Sequence, residues 1–536
     1  MKRARQGAVG VWAAFVVCVV FAGAGAGVVR GQERAKASRA LREGDFERAE
    51  KSFRELMEKN PRDAEARLGL SFALLKQRRT QEAFDAAARV VAVDPANPRA
   101  HALLGSALLA AGDFRLSVEE FRTALSFKED EAMAIAGLAM VDFYENRLGQ
   151  SLHGLRRAAF IDGDEPDYHF HLGQVAARHE RFAEAADAYE RFLRIAPKTD
   201  ADRRARIRGL IDFLRYLGNQ RALLRASGPS RVRVPFEVVN NRPIVRVHVN
   251  DSKEPLRFVV DTGAGMCVIS DEAADRLNLR PVARGGMARA VGGGGRFEIV
   301  YGFLNSLQLG EARVESVPVY IRRFFNPQEK IDGYVGLSVV GKYLTTFDYA
   351  GGAMTMLRDS ERERAEAELR AAPLTAAPHI EIPIRMTSSG FWSGEVKIEG
   401  VGKPLNFIVD TGATISVVST ALAAREEMLA RFAQPSARLT VFGAAGVTPD
   451  VQVLSLPRVQ LGALTRSNVR AAVLDMDAIN ETAGFEQTGI LGGNVLSDYR
   501  VIFDFSRSVV RLEPARATPT PAEAATPVAP AVANQP

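Results

Sequence analysis

Ala49, Ala83, Ser117, Ser151 and Ala185 follow one another at intervals of 34 residues, without a gap. Four residues after each stands an apolar side chain: Phe53, Ala87, Phe121, Leu155 and Tyr189. Twelve after each come Pro61, Pro95, Glu129, Gly163 and Pro197, three of them prolines that cannot continue a helix. A small residue, an apolar one a turn later and a stop describe a packed helix and its end. A gapless period of this length is the mark of an array whose units cannot bury their apolar faces alone, so neighbours must stack. The stretch from Asp200 to Ser227 continues in helical pattern with one polar side, which suits a capping helix. The helical array is therefore expected over residues 33–227.

Segments such as GDFERAEKSFRELMEKNP and ERFAEAADAYERFLRIAP resemble the tetratricopeptide repeat. That resemblance implies an all-α solenoid whose groove takes a peptide or protein partner. A rigid spacer is the alternative reading of the same array.

After Ser230 the period changes to two, as in Ile244–Val249, and the sequence duplicates itself. LRFVVDTGAG from Leu256 matches LNFIVDTGAT from Leu405, which puts Asp261 and Asp410 at equivalent places (410 − 261 = 149). GYVGLSVVGKYLTTFDY from Gly333 matches GILGGNVLSDYRVIFDF from Gly489, an offset of 489 − 333 = 156. Two β lobes are expected, at 231–358 and 379–514, joined by a charged, Ala-rich linker at 359–378.

An apolar strand entering Asp-Thr-Gly-Ala, with two apolar residues and a glycine much later, resembles the retropepsin-like aspartyl proteases. Phe258–Ala264 with Tyr334-Val335-Gly336 supplies one set, and Phe407–Ala413 with Ile490-Leu491-Gly492 the other. The resemblance implies an aspartic endopeptidase in which Asp261 and Asp410 form the catalytic pair. Two carboxyls at close range cannot both ionise, so one activates water while the other donates a proton. It further implies that Thr262 and Thr411 brace the two loops and that Gly263 and Gly412 admit backbone amides near the carboxyls. The strands at Val335-Gly336 and Leu491-Gly492 would run behind the loops. Flap hairpins over an extended substrate are expected at Gly292–Gly295 and Gly443–Gly446, with Gly292, Gly293, Gly443 and Thr414 as substrate-binding positions. Gly265 stands where the family often has a polar residue. Pairing within one chain and pairing between chains both remain open, as does a non-catalytic peptide-binding scaffold that keeps the fold.

Lys2, Arg3 and Arg5 precede the uncharged residues 8–29, and small residues follow at Ala22–Ala26. This is the order of a secretory leader, expected over 1–26, either cleaved or kept as an anchor. The body of the protein is thus expected to be exported, touching a membrane only if the leader stays. The net charge is +6, of which the leader contributes three, leaving 6 − 3 = +3, too small a surplus to point to nucleic acid. Of two cysteines, Cys18 lies in the leader and Cys267 has no partner. Six residues past Asp261, it reads as a small buried residue rather than a thiol nucleophile. His169 and His171 are two apart on a helix, so they face different sides and predict no metal site. No cofactor is expected. Asp348 and Asp504 read as structural, and the Ala/Pro-rich residues 515–536 as a disordered tail.

Overall fold

The computed structural model describes residues 31–358, 361, 364 and 380–514. The expected leader and tail, and nearly all of the expected linker, lie outside the described residues. The chain divides into two compact units, Met1–Asn219 with Gly484–Glu486, and Gln220–Ala483 with Gln487–Pro536.

Among the described residues the regular structure of the first unit is all α. Residues 31–43 are helical, and ten further helices run from Phe46–Lys59 to Ala201–Gly218. Their starts repeat the sequence period: Ala64, Pro98, Ala132 and Pro166 open one helix of each hairpin, and Phe46, Thr80, Phe114, Leu148 and Phe182 the other. Asp45, Asp63, Asn97 and Asp113 cap their helices by accepting backbone amides at about 3.0 Å. All five small periodic residues, Ala49 to Ala185, are fully buried. The apolar positions four residues on are sized to their neighbours. The Phe121 ring lies against Gly105 and Gly137, where a Cβ would overlap it. The array ends earlier than the sequence suggests. Its last helix stops at Gly218, and Arg225–Ser227 is an edge strand paired with Ala312–Arg322. Arg225 and Glu315 lie opposite each other there and form an ion pair. Strand pairing claims these three residues for the β region.

The second unit is built of two β lobes, with short helices between strands. In lobe 1 Gly333–Val335 lies between Leu256–Val260, to which it runs parallel, and Cys267–Ser270, to which it runs antiparallel. In lobe 2 Gly489–Leu491 is inserted in the same way between Leu405–Val409 and Ser416–Ser419. Gly333 and Gly489 face Phe258 and Phe407, and a Cβ at either would overlap the ring. Ser270 and Ser419, also 149 apart, then cap matching helices, accepting amides of Ala273 at 3.0 Å and Leu422 at 3.1 Å.

A shared sheet joins the lobes. In order, Ile380–Met386, Val509–Pro514, Tyr499–Asp504, Leu344–Asp348, Ala353–Leu357 and Arg231–Pro235 are all antiparallel. Its outermost strand alternates exposed Arg231 and Arg233 with buried Val232 and Val234. At the centre Thr346 pairs with Ile502, and 502 − 346 = 156, the offset of the second duplicated motif. Equivalent residues opposite one another place a pseudo-twofold axis between these two strands. Asp348 and Asp504 hold the hairpin turns of this sheet, accepting amides of Gly351 at 2.8 Å and Arg507 at 3.0 Å.

Candidate active site

Each Asp-Thr-Gly loop begins where a strand ends, and the inserted strand fixes it from behind. Asp261 N–H donates to Val335 O and Asp410 N–H to Leu491 O, both at 3.0 Å. The threonines lock the loops together across the axis. Thr262 Oγ1 donates to Val409 O at 2.8 Å and accepts from Thr411 N–H at 3.0 Å. Thr411 Oγ1 donates to Val260 O at 2.7 Å and accepts from Thr262 N–H at 3.1 Å. Both threonines are fully buried, so a hydroxyl removed here leaves a carbonyl and an amide without partners.

This interlock brings Asp261 and Asp410 together, and their carboxyls hydrogen-bond to each other. Gly263 and Gly412 permit the approach. A Cβ on Gly263 would overlap the Asp410 carboxyl, and one on Gly412 the Asp261 carboxyl. Their amides donate to the aspartate of their own loop, Gly263 N–H to Asp261 Oδ1 at 2.8 Å and Gly412 N–H to Asp410 Oδ1 at 2.7 Å. Ala413 N–H adds a third donor, to Asp410 Oδ1 at 3.1 Å.

Desolvation, and then the Asp410 charge, push Asp261 well above the usual aspartate range. Asp410 is raised less: desolvation lifts it, but hydrogen bonds from Asp261 and the two amides pull it back. Arg322 lies near Asp261 and Arg242 near Asp410, each favouring the ionised form. Two amide donors on Asp410 against one on Asp261 favour a shared state with the charge on Asp410 and the proton on Asp261.

The two glycine-rich hairpins meet tip to tip. Gly293 N–H donates to Thr448 Oγ1 at 2.6 Å, and Ala445 N–H to Gly292 O at 3.3 Å. A Cβ on Gly443 would lie 2.5 Å from Gly292 Cα, so side chains are excluded where the tips cross. Gly292 and Gly293 have φ of +76° and +96°, which glycine alone adopts readily. Gly292, Gly293 and Gly443 are thus brought together, whereas Thr414 sits in the loop following Asp410, exposed, its carbonyl accepting from Asn241 Nδ2 at 3.3 Å. Gly265 has a steric reason: a Cβ there would lie 2.9 Å from Ser389 O of lobe 2.

A match to the aspartyl protease family covers residues 245–339 and 394–495, and tetratricopeptide-repeat matches cover 40–107 and 137–199. Tetratricopeptide repeats precede an aspartyl protease domain. Similar solved structures include a tetratricopeptide-repeat protein of Thermus thermophilus, at 20% identity over 34% of this chain and 98% of that one, with a TM-score of 0.30. MamA of Desulfovibrio magneticus gives 22%, 31%, 94% and 0.23, and PilF of Pseudomonas aeruginosa 14%, 36%, 89% and 0.27. No curated protein sequence matches the chain.

Within the protease domain several residues near the site escaped the sequence reading. Ser338 and Asn494, themselves 156 apart, brace the strands leaving the loops. Cys267 N–H donates to Ser338 Oγ at 3.4 Å, and Ser416 N–H to Asn494 Oδ1 at 2.8 Å. Their offset inside the matched motifs was a usable signal. Cys267 is fully buried, accepts Gly336 N–H at 3.3 Å, and burial pushes its thiol up to about 11, which suits a structural role. His169 and His171 are partly buried, held by Gly163 O and Gln174 Oε1. Among the described residues no group of His, Cys, Asp and Glu is arranged to hold a metal ion.

Proposed function

We propose that this protein is an exported aspartic endopeptidase whose two lobes pair within one chain and whose repeats recruit a protein substrate or partner. The observation that carries the catalytic part is the hydrogen-bonded Asp261–Asp410 pair, held by the reciprocal Thr262–Thr411 interlock under two flaps. The charge on Asp410 takes a proton from water as the water oxygen attacks a peptide carbonyl, and Asp261 donates its proton to the carbonyl oxygen. Collapse of the tetrahedral species breaks the C–N bond, with a proton returned to the leaving nitrogen. Export follows from the leader in the sequence, and recruitment from the general habit of tetratricopeptide arrays to bind proteins.

The test is cleavage of a mixed peptide library from acid to neutral pH by the purified protein, beside Asp261→Asn and Asp410→Asn. Cleavage lost in both variants is the expected result. A folded protein that cleaves nothing at any pH would leave a peptide-binding scaffold as the function.

A further inference from the structure

The pseudo-twofold relation makes the two halves of the cleft comparable residue by residue. Arg322 ends the strand Ala312–Arg322 opposite Ser270, and Leu474 ends Leu464–Leu474 opposite Ser419. Ser270 and Ser419 are equivalent, since 419 − 270 = 149, so Arg322 and Leu474 occupy the same place in their lobes. Tyr334 and Ile490 are equivalent in turn, as the middle residues of the two inserted strands.

The surroundings differ in kind. Leu474 and Ile490 belong to an apolar cluster with Ile408, Val451 and Met476. The Arg322 guanidinium lies 5.4 Å from the Phe297 ring, on a flap strand, and 6.0 Å from Phe324, whose ring meets Tyr334 edge-on at 5.1 Å. Arg242, the other arginine near the dyad, is itself buried and is paired with Glu329. Among the described residues Arg322 has no ion-pair partner, and its buried Nε has no hydrogen-bond acceptor. A half-buried guanidinium with no ion-pair partner is left to find one, and its planar fork, stacked on aromatic rings, is the group best matched to a carboxylate.

We propose that Arg322 forms a carboxylate-binding subsite in the lobe 1 half of the cleft, so that the substrate carries an acidic side chain there and an apolar one in the lobe 2 half. This names the substrate class of the proposed protease and rests on that reading. The flap strand bearing Phe297 and the strand bearing Tyr334 wall the subsite, and Arg322 supplies its base.

The test pairs peptides that differ only in Glu against Gln, or Asp against Asn, at each position flanking the scissile bond, using the full protein. At one position the acidic peptide should be cleaved roughly 10–100-fold more efficiently, the range of a charge-assisted hydrogen bond. Arg322→Gln should collapse that ratio towards one, and Arg322→Lys should keep part of it. Thermal melts confirm that both variants fold. An acid-to-amide ratio unchanged by Arg322→Gln, or absent from the wild type, overturns the subsite while leaving the protease reading in place. The same peptide pairs bound to Asp410→Asn, read by fluorescence polarisation, make the test independent of turnover. Acid-selective binding that depends on Arg322, without cleavage in the wild type, would instead overturn the protease reading and keep the subsite.

Discussion

In lobe 1 the strand leaving the active loop begins with Cys267, braced by Ser338; in lobe 2 the same places hold Ser416 and Asn494. Lobe 1 puts Arg322 and Tyr334 near Asp261, and lobe 2 holds the equivalent Leu474 and Ile490 in an apolar cluster. Yet Asp261 and Asp410, Thr262 and Thr411, Gly263 and Gly412, and Gly333 and Gly489 are the same residues in both. In these four pairs the side chain, or the lack of one, is fixed by a reciprocal contact across the axis or by a ring behind the loop. Those that differ either brace a single lobe or line the cleft. A duplicated half-site can therefore keep one symmetric catalytic centre and still present two unlike surfaces to an asymmetric substrate.

The strongest way to break this comparison is to find the two aspartates unequal. Asp261→Asn and Asp410→Asn should each lower kcat for peptide cleavage by about 10³-fold or more, because both halves of the acid–base pair are required. A variant retaining most of its activity would mean that the lobes do not share a site. Next in size, Thr262→Val and Thr411→Val should each cost roughly 2–3 kcal/mol, since either leaves a buried carbonyl and amide unpaired. Matched losses in thermal melts are expected of a symmetric lock, and a loss at only one of the two would show that the interlock is one-sided.

Proton linkage gives a smaller effect of opposite sign. Both dyad carboxyls titrate above the ordinary aspartate value of about 4, so the folded protein binds their proton more tightly than the unfolded chain does. Their stabilising contribution is complete below that ordinary value and is lost as pH rises through the raised values. Asp261→Asn should therefore raise the melting temperature at pH 7 and change it much less at pH 3. The smallest change is Cys267→Ser, which makes lobe 1 resemble lobe 2. It should alter stability by less than about 1 kcal/mol and leave cleavage intact, whereas lost activity would assign the thiol a chemical role.

Much of this was legible in the sequence for a physical reason. The 34-residue period is a packing period: Ala49, Ala83, Ser117, Ser151 and Ala185 recur because each is buried against the next helix. The duplicated Asp-Thr-Gly and its downstream glycine were legible because Gly336 and Gly492 admit no side chain: a Cβ there would overlap the backbone of Met266 or Ile415, just past each loop. Arg225–Ser227 was not, because three residues carry too little alternation to separate a strand from a helix end. The equivalence of Arg322 and Leu474 was hidden because it lives in strand register: no shared residue marks it, and only the pairing with Ser270 and Ser419 reveals it. Gly265 looked like a departure from a family pattern until the Ser389 carbonyl of the other lobe gave it a steric cause.

The central claim is that one chain builds one dyad from its two lobes. The direct measurement is peptide cleavage by the wild type, by Asp261→Asn, by Asp410→Asn, and by an equimolar mixture of the two variants unfolded and refolded together. An intramolecular pair predicts an active wild type and three inactive samples. Activity regained in the mixture would show that an intact lobe of one chain pairs with an intact lobe of another, and would contradict the account.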